Sequence, residues 1–146
     1  LKQNKTGNQR CDGMDIGLCS IDRQNKTIEF SGANRHLIYF RDRELDLVKG
    51  NKNGIGGLYT DSVLQFTTHT ISYDENDVIY MCTDGYADQF GGARGKRMMT
   101  KSLFRILEKS LSFGILDQED LLNHWLDKWK GNYEQTDDIL LVGIQL

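Results

Sequence analysis

Val78-Ile-Tyr-Met-Cys-Thr-Asp-Gly85 is the stretch from which the rest of the chain can be read. Val78–Cys82 is apolar at every position, so both faces of an extended segment here must be covered, as in a central strand. Turn formers bound it, Tyr73-Asp-Glu-Asn-Asp77 before and Asp84-Gly85 after. Upstream, Phe66–Ser72 (FTTHTIS) is predicted to pair with it across the turn at 73–77. Further back, Glu44–Val48 alternates with period two and forms a predicted hairpin with Leu37–Phe40 through Arg41-Asp42-Arg43. Asp15–Asp22 (DIGLCSID) and Thr27–Ser31 predict another pair around Asn25-Lys26, with Gly32-Ala33-Asn34 breaking the second strand. A glycine-rich loop, Gly50–Gly57, follows these hairpins.

Downstream, Met99, Leu103, Ile106, Leu107 and Leu111 recur at helical spacing, with Gly114 placed as a C-terminal cap. Asp117 reads as the N-cap of a second helix carrying Leu121, Leu122, Trp125, Leu126 and Trp129 on one face. At this spacing the two tryptophans read as core packing rather than a recognition stripe. Ile139–Leu146 closes the chain as a strand. Strands, two helices and a strand predict an α+β fold with a mostly antiparallel sheet. Residues 1–11 read as a polar lead-in or cut loop, and 12–146 as the domain proper.

Composition narrows the function. The 146 residues are 38% hydrophobic and include 6 Phe, 6 Tyr and 2 Trp, enough for a packed core. Eighteen basic against 21 acidic residues give a net charge of −3, which provides no field for gathering phosphate backbones and argues against nucleic acid. The longest apolar runs, Val78–Cys82 and Ile139–Ile144, are far short of the about 20 residues that a transmembrane helix requires. Cys11, Cys19 and Cys82 are odd in number and lack CxxC spacing, so they read as reduced thiols in a cytoplasmic protein. Proline is absent, so turns fall to Gly, Asn and Asp.

Common catalytic signatures are missing. His36, His69 and His124 have neither HxxH nor HExxH spacing. Cys82 lies inside an apolar strand, where a thiol behaves as a small hydrophobe. Gly54-Ile-Gly-Gly57 looks like part of a phosphate loop, but no Lys-Ser or Lys-Thr follows it. Carboxylates at strand ends remain. Asp84 follows the buried strand and precedes a glycine, while Asp137 and Asp138 stand just before the closing strand. If those strands are neighbours, the acids meet at one rim, where a hard divalent cation would relieve their repulsion. Equally, Asp in a turn simply caps backbone N–H groups. Spacing leaves both readings open.

Five ordered segments carry a resemblance. DGMDIGLCSID (Asp12–Asp22), FSGANRHLIYF (Phe30–Phe40), GIGG (Gly54–Gly57), MCTDGYADQFGG with Gly95-Lys96 (Met81–Lys96) and QTDDILLVGIQL (Gln135–Leu146) together resemble the C-terminal part of the SpoIIE/RsbU-type branch of the metal-dependent serine/threonine phosphatases, the PPM family. Gly17 and His36 stand where that pattern has Ala and Pro. The resemblance implies a two-layered antiparallel β-sandwich flanked by helices and a dinuclear Mn²⁺ or Mg²⁺ centre. There, metal-bound hydroxide would attack phosphoserine or phosphothreonine directly. It further implies metal ligation by Asp84 and by Asp137, with Asp138 as the alternative, and a substrate rim near Gly85, Asp88 and Lys96. The family's remaining acidic ligands lie upstream of the position equivalent to Asp12, its pair of regulatory switch helices is expected to be absent or cut away, and Asp12-Gly13 reads as a decoy. The chain is therefore expected to be a shortened phosphatase domain with a weak or empty metal site and uncovered edges that favour self-association. Its expected substrate is a phosphorylated bacterial regulatory protein, such as a STAS-type anti-sigma-factor antagonist. A catalytically dead, pseudophosphatase-like partner-binding module is the alternative, and a Ca²⁺-stabilised β domain is a third.

Overall fold

A computed structural model describes residues 13–56 and 64–146. The lead-in 1–11, Asp12 and Gly57 lie outside the described residues. The elements run β1 (Gly13–Met14), β2 (Ile16–Asp22), β3 (Thr27–Ala33), β4 (Leu37–Arg41), β5 (Glu44–Val48), β6 (Ile55–Gly56), β7 (Thr68–Ser72) and β8 (Val78–Cys82). Then come α1 (Gly85–Asp88), β9 (Phe90–Gly91), β10 (Lys96–Arg97), α2 (Thr100–Ser110), α3 (Gln118–Lys130) and β11 (Leu141–Gln145).

Two antiparallel sheets dominate, one in the order β11-β8-β4-β5 and one in the order β2-β3-β7. The apolar character of β8 follows from its place between β11 and β4. Ile79 points into the interface between the sheets, with Ile28, Phe30, Leu37 and Tyr39. Val78 and Tyr80 point the other way, toward Phe40, Leu103, Leu107 and Leu122 beneath α2 and α3. Alternation along β8 thus feeds two cores, and the layers run helices, sheet, sheet.

The expected pairing of Phe66–Ser72 with Val78–Thr83 is wrong. β7 pairs with β3, and β8 pairs with β4 and β11 in the other sheet. Burial explains the exchange. Thr68, Thr70 and Ser72 are exposed while His69 and Ile71 are half-buried, a pattern suited to an edge strand with one wet face. β8 needs cover on both faces, which only the four-stranded sheet provides. Residues 73–77 are the crossing between sheets, and the buried Asp77 carboxylate pins it. That carboxylate accepts from the Tyr39 hydroxyl, from Arg41 Nε at 3.2 Å and from the Asp74 amide at 2.8 Å.

Smaller departures have local causes. β3 continues through Gly32-Ala33 instead of breaking there. α2 ends at Ser110 with Leu111 as its C-cap, leaving Gly114 in the turn to α3. Asp117 precedes α3 without a side-chain capping bond. The one-turn α1 and the β9–β10 hairpin are too short to leave a periodic signal. Trp129 packs against the helix-side core and donates its indole N–H to the Gln89 carbonyl at 2.9 Å. Trp125 is half-buried, with the Lys109 and Lys128 ammonium groups each 5.8 Å from its ring centre.

Candidate functional site

The pairing of β8 with β11 brings Asp84 and the Asp137-Asp138 segment to the same end of the sheet, because Cys82 stands opposite Leu141. Thr83 ties the two strand ends together. Its amide donates to the Leu140 carbonyl at 2.9 Å, and its hydroxyl donates to the Asp138 carbonyl at 2.8 Å while accepting from the Leu140 amide at 2.9 Å. Gly85 is the complement of this knot. A Cβ there would stand 2.4 Å from the Asp138 carbonyl oxygen, so only glycine lets the acidic loop lie this close.

Asp84 occupies the N-cap position of α1 yet makes no side-chain capping bond. Its carboxylate meets the Arg35 guanidinium instead, with Nη1 3.2 Å from Oδ2 and Nη2 3.3 Å from Oδ1. Partial burial pushes the Asp84 carboxyl upward, but hydrogen bonds from Arg35 and from its own amide, with the guanidinium charge, outweigh this. The net shift is downward, so the group is firmly ionised at neutral pH. Asp84 thus makes no side-chain cap to α1 and is held chiefly by Arg35. Asp137 keeps the turn-capping reading, since its Oδ1 accepts from the Asp138 amide at 2.7 Å. Both Asp137 and Asp138 are exposed.

Two residues that sequence reasoning missed complete the cluster. Asp15, between β1 and β2, places Oδ2 3.6 Å from Arg35 Nη2 and accepts from Asn34 Nδ2 at 2.9 Å through Oδ1. Arg35 follows β3. Both lie far from Asp84 in the chain, and no local pattern announces a partnership made only by folding. Among the predicted rim residues, Asp88 lies one turn beyond Asp84 and contacts Arg97 at 3.4 Å. Asp88 also lines a cavity of about 200 Å³ with Arg35, Thr83, Asp84 and Phe104. Lys96 is exposed on β10 and outside that lining. Burial pushes the Cys82 thiol up, opposed in part by the Arg35 charge, which keeps the sulfur a packing group.

Among the described residues, no three His, Cys, Asp or Glu side chains converge as a metal-binding group. The donors at this rim are nevertheless of one kind, hard carboxylate oxygen, which is what Mg²⁺ and Mn²⁺ prefer. The guanidinium held between Asp84 and Asp15 marks the rim as a place that already retains a cation. By donor chemistry alone the carboxylates suit a divalent ion, though among the described residues they do not form a complete shell.

No curated protein sequence matches the chain. Solved structures do. The PP2C domain of SiaA from Pseudomonas aeruginosa aligns at 23% identity and a TM-score of 0.80, over 90% of this chain and 51% of that one. A structure of the PP2C phosphatase domain of SpoIIE from Bacillus subtilis with a fragment of its regulatory domain aligns at 17% and 0.69, over 90% and 37%. RsbX in complex with magnesium aligns at 14% and 0.58, over 90% and 55%. At these identities the likeness establishes the fold, and the chain spans about half or less of each structure's length. The family model of stage II sporulation protein E matches residues 4–146, so the chain, with its antiparallel sandwich and acidic strand ends, belongs to the SpoIIE family.

Proposed function

We propose that this chain forms part of a metal-dependent protein phosphatase in which Asp84 and Asp137, with Asp138 as the alternative, are carboxylate ligands for Mn²⁺ or Mg²⁺. The observation that carries this reading is the Thr83 knot, which seats the Asp138 segment beside an Asp84 that caps nothing. A bound divalent ion would lower the pKa of a water and offset charge on phosphoryl oxygens. The chain's own part is to hold Asp84 ionised at neutral pH and to keep the acidic loop against Gly85. The cavity beside Asp84 and Asp88 gives a phosphorylated side chain an approach from solvent. On family grounds the substrate is phosphoserine or phosphothreonine on a bacterial regulatory protein, with a STAS-type anti-sigma-factor antagonist as the first to try.

A second reading has its own observation. Three acidic donors do not converge among the described residues, and Arg35 occupies the Asp84 carboxylate, as would suit a partner-binding pseudophosphatase. One experiment separates the two. Mn²⁺-dependent hydrolysis of a phosphoserine protein is measured for the natural full-length protein and its Asp84→Asn variant. The phosphatase reading expects turnover to fall by orders of magnitude in the variant with melting temperature unchanged. Equal turnover removes the ligand role, and absence of turnover in the unaltered protein favours the pseudophosphatase.

A further inference from the structure

We propose that Arg35 is a positioning residue that holds the Asp84 carboxylate in reserve and gives it up when a divalent cation binds. The inference rests on the reading of Asp84 as a cation ligand.

The guanidinium fork grips both Asp84 oxygens, at 3.2 and 3.3 Å, and reaches Asp15 at 3.6 Å. An arginine here is always charged and matches a carboxylate in two-point geometry. It keeps two like charges from facing one another without a counter-ion. A dication at Asp84 would need the oxygens the fork now holds, and it would repel the guanidinium. The two-point grip on both oxygens cannot persist once a cation takes one of them.

The backbone under Arg35 is fixed, so a side-chain swing is the available movement. The Arg35 carbonyl is seated against two glycines, and a Cβ on Gly32 or Gly50 would stand 2.1 or 2.2 Å from its oxygen. The Asn34 amide donates to the Asn51 carbonyl at 2.8 Å, the Asn51 amide to the Gly32 carbonyl at 2.8 Å, and the Gly50 amide to His36 Nδ1 at 3.1 Å. Asn34 takes a left-handed conformation, φ 55°, to make the turn. The side chain above is 23% exposed and borders the cavity of about 200 Å³, whose Leu47 and Phe104 offer an apolar wall for its methylenes. The fork therefore has room to leave without disturbing the loop that presents it.

Such a residue sets a threshold. Cation binding must displace an ion pair, so occupancy begins only when the divalent ion outcompetes Arg35. Calorimetric titration of Mn²⁺ into the natural full-length protein and its Arg35→Gln, Arg35→Lys and Asp84→Asn variants tests this. ¹⁵N spectra of the Arg35 Nε–H group in the unaltered full-length protein, with and without Mg²⁺, form the second readout. Arg35→Gln is expected to bind roughly fivefold tighter, the scale of a half-exposed ion pair. Arg35→Lys should also gain affinity, because an ammonium cannot fork, and the Nε–H resonance should move on Mg²⁺ saturation. Unchanged affinity in both Arg35 variants, with binding still lost in Asp84→Asn, overturns the latch and leaves the ligand reading standing. A gain in Arg35→Gln but none in Arg35→Lys reduces the effect to bulk charge and also overturns it. Binding that ignores Asp84→Asn, or no binding in any variant, defeats the ligand reading and the latch with it. A static Nε–H resonance at saturation overturns the displacement even if the affinities change.

Discussion

Gly85 stands where two strand ends converge, and its lack of a side chain is a steric requirement. Alanine there would drive a methyl into the Asp138 carbonyl at 2.4 Å, and that neighbour is backbone, which yields little. Gly85→Ala is expected to lower stability by about 1–3 kcal/mol, the scale of overpacking, and to spread the acidic loop away from Asp84. Denaturant melts would show the first effect, and weakened Mn²⁺ binding the second. A variant with unaltered stability and affinity would show that the close approach is unimportant. The place of Asp84 and Gly85 at a strand end was legible because an apolar run bounded by Asp-Gly must turn there, while spacing left the role of the carboxylate open. Arg35 and Asp15 were not legible, since an arginine after a Gly-Ala-Asn turn acquires meaning only when a carboxylate 49 positions away folds onto it.

At the scale of elements, the crossing at 73–77 shows what period-two reading can miss. Two adjacent strands around a five-residue turn look like a hairpin, yet wet and dry faces differ enough between β7 and β8 to send them to different sheets. The signal was present in the burial each strand needed, while proximity in sequence argued for the simpler pairing. The tyrosines beneath this architecture give it a signature in alkali. Burial, reinforced by the Asp77 carboxylate, pushes the Tyr39 phenol up to about 12. Burial does the same to Tyr86, up to about 12, whose hydroxyl donates to the Leu122 carbonyl at 2.8 Å. Both phenols keep their protons more tightly folded than unfolded. Their stabilisation is whole below pH 10.0, the ordinary value, and is lost as pH rises through about 12. Absorbance at the tyrosinate band, followed with circular dichroism, should show these two phenols ionising only with unfolding. Their ionisation near pH 10 in a folded chain would contradict the burial.

For the molecule as a whole, β11 matters most, because among the described residues it pairs only with β8 and its far edge is free. Leu140 is 60% exposed, and a cleft of about 490 Å³ lined by Leu116, Leu122, Leu126 and Leu141 runs beside it. A net charge of −3 offers little repulsion between copies. Open edges and apolar clefts of this sort attract further chains. The chain is expected to self-associate at high concentration, and Val142→Lys, which sets a charge on that edge, should reduce the association. Light scattering that reports a monomer across the concentration range would refute this.

The interleaving of the two sheets also governs how the molecule acquires its shape. The chain lays down β2 and β3, leaves to build β4 and β5, returns with β7, and leaves again for β8. The first sheet cannot close until residue 72 has emerged, and the second waits for β11 at 141–145. Pairings this distant along the chain impose a loop-closure entropy cost before any contact compensates for it, so the search is slow and neither sheet can assemble alone. During synthesis β8 stays without β11 as its neighbour until residue 145 has left the ribosome. Nascent chains at that stage leave one edge of a strand that is apolar at every position without its partner.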